Sequence, residues 1–115
     1  RVRDGSRGPF RSMRRAASAI LTADFNFRSD DPLHERLTVP FGDGVPAFID
    51  AWQARYPGVP HPPSLGVFDR EQWPDGGYCC DFIYVSDDLR ARINDVSVDQ
   101  QSDASDHQAV VLTLA

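Results

Sequence analysis

A chain of 115 residues, 41% of them hydrophobic, has material for one modest core and at most one domain. Its net charge of −5 is unevenly spread: residues 1–15 hold six Arg and one Asp (+5), residues 16–115 six Arg and sixteen acids (−10). A body this acidic, with no Lys, excludes a general nucleic-acid-coating role, but it suits a phosphoesterase that gathers acids around a divalent cation.

No apolar run reaches membrane-spanning length, and the Arg-rich start lacks the apolar segment of a signal peptide. The start at Arg1 rather than Met points to a partial sequence. Residues 1–8 read as loop. Residues 9–18 read as a short helix opened by Pro9, with Phe10, Met13, Ala16 and Ala17 at helical spacing and the arginines on its exposed face. Residues 18–23 read as a buried strand that stops at Asp24 and Asn26, both poor strand and good turn residues. Two residues apart, this acid and amide point the same way if the chain stays extended, which suits them to hold a metal or polarise a phosphate. The same pair also serves as a simple Asx turn.

Residues 28–45 read as a long polar connection. Pro46 opens a helix predicted to run to about Tyr56, with Val45, Phe48, Ile49 and Trp52 on one face and Pro57-Gly58 as its stop. Residues 57–77, rich in Pro and Gly, read as a surface loop whose His61, Phe68, Arg70 and Trp73 suit either substrate contact or local packing. Residues 78–86 form a second predicted strand with Asp81 inside it, where a carboxylate needs a partner. Strands follow at 92–99 and 109–114, separated by a polar turn over 100–105. Cys79 and Cys80 are adjacent, so an ordinary disulfide between them is not expected, and without a nearby His they make no zinc motif. They read as reduced, partly buried thiols in a cytoplasmic protein.

The polar groups at strand ends or within strands where a bland sequence would not place them are Asp24, Asn26, Asp81 and the Asp106-His107 pair. A His at the entry to an apolar strand suits proton transfer or phosphate binding near neutral pH. It needs a carboxylate to fix its tautomer, and Asp81 on a neighbouring strand is the candidate.

In order and spacing, these motifs resemble a known family. Ala23-Asp24-Phe25-Asn26 is similar to the GDFN motif of the endonuclease/exonuclease/phosphatase superfamily, the DNase I-like phosphoesterases. Cys80-Asp81-Phe82-Ile83-Tyr84-Val85-Ser86 resembles its IDYIFVS strand. Ser105-Asp106-His107, followed by Ala109-Val110-Val111, resembles its terminal SDH-x-P-V motif. The resemblance implies metal-dependent hydrolysis of a phosphodiester or phosphomonoester. Asp24 would orient or deprotonate the attacking water. Asn26 would bond the phosphate or help hold the metal, and Asp106 would lie beside that metal. His107, backed by Asp81, would contact the phosphate. Mg²⁺ is the implied ion, with Mn²⁺ or Ca²⁺ also suited to such oxygens. Nucleic acid, nucleotide, phospholipid and inositol phosphate are the substrate classes it leaves open.

The chain departs from the pattern at Ala23, Cys79 and Ala109, which stand in place of the usual Gly, Arg and Pro. The family's metal-binding Glu lies upstream of the GDFN-like strand, and residues 1–23 contain no Glu, Asn, His or Tyr. The implied fold is α+β: the C-terminal half of a four-layer α/β/β/α sandwich, a mostly antiparallel sheet with one or two helices, so that residues 1–115 form a single partial domain. Its inward sheet face is then expected to be covered by the upstream half or by a second copy. The other reading is a non-catalytic DNase I-like binding module that has lost its metal site.

Overall fold

The computed structural model describes residues 8–11 and 16–115. Of the helix expected over 9–18, residues 12–15 lie outside the described residues; a 3-10 turn, Gly8–Phe10, stands at its start, and residues 16–18 are not helical. The architecture is α+β, with antiparallel strands and a few short helices. The elements in chain order are β1 (Ile20–Asp24), α1 (Pro32–Arg36), β2 (Phe48–Asp50), α2 (Ala51–Arg55), β3 (Asp81–Ser86), β4 (Ile93–Val98) and β5 (Val110–Leu114). Among the described residues no helix is long and apolar enough to cross a membrane.

The centre is β3, because Phe82, Ile83, Tyr84 and Val85 give it two apolar faces rather than one. It pairs antiparallel with β1, from Ile20 opposite Val85 to Asp24 opposite Asp81, and with β2, from Phe48 opposite Ser86 to Asp50 opposite Tyr84. Ile83 and Val85 pack with Ala51 and Trp52 of α2 and with Val96 of β4. Phe82 and Tyr84, on the other face, pack with Cys79 and are covered by Phe25, Phe27 and Leu37. Burying each such side chain contributes about 1.5–3 kcal/mol.

Several expectations are corrected. The strand expected to be buried, β1, is an exposed edge: of its five residues only Leu21 is half-buried, and Ile20 is 49% exposed. Its register with β3 turns Leu21 onto the aromatic face, while nothing among the described residues covers Ile20 and Thr22. The helix expected over 46–56 is a strand followed by a helix. Phe48 and Ile49 complete a ladder with β3, and Asp50 then caps α2 by accepting from the backbone N–H of Trp52 and Gln53. The connection over 28–45 contains α1, which begins at Pro32 and is capped by Asp31. Asp81 opens β3 rather than lying inside a strand that starts at Tyr78. Instead of one sheet, β4 and β5 pair separately, from Ile93 opposite Leu114 to Val98 opposite Val110.

The proline-rich stretch is more than a surface loop. Ser64 is fully buried, and residues 64–66 lie between the two sheets. Leu65 bridges to Tyr78 on one side and to His107 on the other, and the backbone N–H of Gln108 donates to Ser64 O at 2.7 Å. Gly77 permits this approach, since a Cβ there would stand 2.3 Å from Leu65 O. The expected bare sheet face is therefore confined to the flanks: β3 is covered on both faces, while Ile20 of β1 and Val111 of β5 remain about half exposed.

Candidate functional site

The site starts where β1 ends. Phe25 N–H makes a last bond to Cys80 O at 2.9 Å, and Asp24 Oδ1 then accepts from Asn26 N–H at 2.9 Å. Asn26 takes a left-handed backbone, φ 57°, which Asn tolerates better than most residues. The Asx turn and the presentation of Asp24 are thus one feature. The turn also means that the chain does not stay extended, so Asn26 leaves the line of Asp24. Its carboxamide is exposed and makes no hydrogen bond among those described.

The register of β1 on β3 sets Asp24 directly opposite Asp81. Two carboxylates side by side repel unless a cation or donor lies between them. His107 supplies one. Its Nδ1 donates to Asp81 Oδ2 at 2.8 Å, and its Nε2 stands 3.8 Å from Asp24 Oδ2. The backbone at His107 is fixed by the bridge to Leu65 and by donation of its N–H to Ser105 Oγ at 3.1 Å. The imidazole holds its proton above the ordinary His range. The Asp81 hydrogen bond is the main cause; desolvation opposes it, and the charges of Asp81, Asp24 and Asp106 add to it.

Two residues of this site were not among the candidates. Ser64 donates to Asp81 Oδ2 at 2.7 Å, and its Oγ accepts the backbone N–H groups of Cys80 and Asp81, each at 3.1 Å. Only its place before Leu65 in a Pro-rich stretch marked it, and that is no signal. Cys80 is the other: its thiol lies 3.5 Å from Asp81 Oδ2. Burial, with the charges of Asp81 and Asp24, pushes that thiol up to about 12, so it is neutral and not a nucleophile. Neither cysteine is in a disulfide.

Replacing Ser64 with Ala should cost about 1–3 kcal/mol, because two buried N–H groups and one carboxylate lone pair lose their partner. A urea midpoint measures it. A midpoint within error of the wild type would mean that water replaces the hydroxyl.

Donor atoms of Asp24, Cys80, Asp81 and His107 all lie within 4.8 Å of one another. Asp106 is not in this group. Its side chain is exposed and lines a separate groove of about 450 Å³ with Arg70 and Glu71, although its charge still reaches His107. The structure thus brings together Asp24, Asp81 and His107, and leaves Asn26 and Asp106 at the rim. The exposed oxygens of Asp24 and Asn26 are of the kind Mg²⁺ takes, and those of Asp106 lie in the adjoining groove. The thiol of Cys80 does not fit Mg²⁺.

A second polar pair lies under the aromatic face. His34 Nε2 donates to Asp50 Oδ2 at 2.8 Å, both residues are buried, and the His34 ring packs against Phe27, Phe82 and Tyr84. The hydroxyl of Tyr84 is buried nearby without a partner among the described residues. Sequence reasoning did not single out this pair; the one readable sign was Asp50 ahead of Ala-Trp-Gln-Ala-Arg, a helix-capping position. No protein-family model matches the chain, and no curated protein matches it significantly.

Proposed function

We propose that this chain is the C-terminal half of a metal-dependent phosphoesterase domain of the DNase I-like type, acting on a phosphodiester or phosphomonoester. The observation that carries the reading is the imidazole of His107, 2.8 Å from Asp81 and 3.8 Å from Asp24. In-line attack on a phosphate needs an oriented water, and donors for the charge that spreads onto the phosphate oxygens. The free Oδ2 of Asp24 orients the water and takes its proton. His107 Nε2 donates to a phosphate oxygen, and Asp81 keeps that nitrogen protonated by holding Nδ1. The exposed carboxamide of Asn26 supplies a second donor. A Mg²⁺ ion bound beside Asp24 and Asn26 would be held by their oxygens and would supply positive charge to the phosphate, with Asp106 adding its charge from the adjoining groove.

The edge of β1 left unpaired among the described residues and the half-exposed Ile20 and Val111 support a partial domain, completed by an upstream half that adds the second sheet of a four-layer sandwich and the metal-binding Glu. The unpaired thiols support a cytoplasmic location. Nucleic acid, nucleotide, phospholipid and inositol phosphate all present the phosphate this site addresses.

The test is hydrolysis of a generic aryl phosphodiester with Mg²⁺, by the chain alone and with the upstream half restored. Turnover that needs both Mg²⁺ and the upstream half is expected. No metal-dependent turnover in either form would overturn the reading and leave the non-catalytic binding module.

A further inference from the structure

Cys79 and Cys80 lie far in sequence from His107, so spacing alone gave no zinc motif. The fold removes that separation. At the start of β3 the two thiols part. Cys79 packs into the aromatic cluster with Phe82 and Tyr84. Cys80 turns toward the carboxylates, with its Sγ 3.5 Å from Asp81 Oδ2.

Ligand atoms about 2.0–2.3 Å from a tetrahedral Zn²⁺ stand roughly 3.3–3.6 Å from one another. One separation between proposed ligands approaches that spacing, the 3.8 Å between His107 Nε2 and Asp24 Oδ2, and Cys80 Sγ stands 3.5 Å from the Asp81 oxygen that holds the imidazole. The full set spans no more than 4.8 Å, so closing on an ion needs side-chain shifts of about 1 Å. Asp81 also bonds His107 Nδ1, which fixes the tautomer with Nε2 facing Asp24, as carboxylates do behind metal-bound imidazoles. The mixture of one sulfur, one nitrogen and carboxylate oxygens selects a borderline-soft ion over Mg²⁺.

We propose that Asp24, Cys80, Asp81 and His107 form a Zn²⁺ site, and that the ion inhibits the chain by occupying the groups that would act on phosphate. The site takes Asp24, Cys80 and His107 as direct ligands, with Asp81 holding the imidazole or closing the fourth position. Cys80 gives its thiol proton, and the protonated His107 its Nε2 proton, to solvent as the ion binds. Zinc and substrate phosphate then exclude one another, since Zn²⁺ takes the Nε2 lone pair that must otherwise carry a proton. The inhibitory part rests on the phosphoesterase reading; the binding part does not.

The experiment titrates the full chain with Co²⁺ as a spectroscopic stand-in, then displaces it with Zn²⁺. A thiolate-to-Co²⁺ charge-transfer band in the near ultraviolet is expected. It should vanish in Cys80→Ser and persist in Cys79→Ala. The partly exposed His107→Gln, which leaves the core intact, should weaken Zn²⁺ binding by at least about tenfold even if a Cys80 variant fails to fold. Absence of the band, its persistence in a folded Cys80→Ser, or unchanged affinity in His107→Gln overturns the site. With the upstream half restored, Zn²⁺ should suppress Mg²⁺-dependent turnover, and Cys80→Ser should resist it. Turnover indifferent to bound Zn²⁺ overturns the inhibition. If no turnover exists at all, the hydrolase reading fails, while the band still decides the metal site.

Discussion

Replacing His107 with Ala is expected to lower kcat for phosphodiester hydrolysis by the completed domain about 10²–10⁴-fold, the usual range for losing a positioned proton donor. The cost arises in the transition state. Negative charge there grows on the phosphate oxygens, beside an imidazole already held toward Asp24 by Asp81. Asp81→Asn tests the same device without removing the ring. His107 keeps its proton above the ordinary His range chiefly because of the Asp81 hydrogen bond. The donor must be protonated, so activity should fall as pH rises through the raised pKa. Without the Asp81 charge the pKa drops, and that alkaline limb should move to lower pH.

The sign for stability is the same. A His with a raised folded pKa adds stability that is complete below its unfolded pKa and is lost as pH rises through the folded one. Asp81→Asn should therefore destabilise the fold more near pH 5 than near pH 9. A pH–rate profile and urea midpoints at both ends check the two claims. An unmoved alkaline limb in Asp81→Asn would mean that His107 does not carry the proton that matters.

What could be read in the sequence follows from how local each signal is. Asp24, Asp81 and His107 were legible because each ends or opens an apolar run, where polar residues have few structural excuses. The strand around Phe82 to Val85 was legible because its apolar run is continuous. Ser64 was not, since its role comes from a bridge between Leu65, Tyr78 and His107 that no short window contains. The start of α2 was misplaced because Phe48 and Ile49 fit a helical stripe as well as a ladder, and pairing with β3 decided between them. Cys80 joined the site only because the turn into β3 sends neighbouring thiols to different surroundings. Asp106 was expected beside the metal from the resemblance of its motif; where its side chain turns, into the groove it shares with Arg70 and Glu71, was not legible from the motif.

The largest stability loss is expected at Asp50, where one carboxylate does two jobs. Its Oδ2 accepts from buried His34 at 2.8 Å, and its Oδ1 accepts the Trp52 and Gln53 N–H groups at 2.8 and 3.4 Å. Asp50→Ala leaves His34 buried against Phe82 and Tyr84 with no partner for Nε2, and uncaps α2. Breaking a buried pair by removing one member costs about 3–5 kcal/mol, and losing a cap about 1 kcal/mol. The two share one side chain, so about 3–5 kcal/mol is expected in total rather than their sum. Domains of this kind have roughly 5–15 kcal/mol in hand, so the change removes a large fraction of it. Asp50→Asn keeps an oxygen for the cap and a polar group facing His34, so its loss should be about 1–2 kcal/mol. Urea midpoints of the two variants separate the roles. Equal losses would assign the effect to the charge, because Asn retains the cap. Losses below about 1 kcal/mol in both would mean that neither bond matters to the fold. Because Asp50 pairs with Tyr84 on the strand that begins at Asp81, the loss should also loosen His107. Its imidazole resonances should then broaden in Asp50→Ala, well away from the substitution.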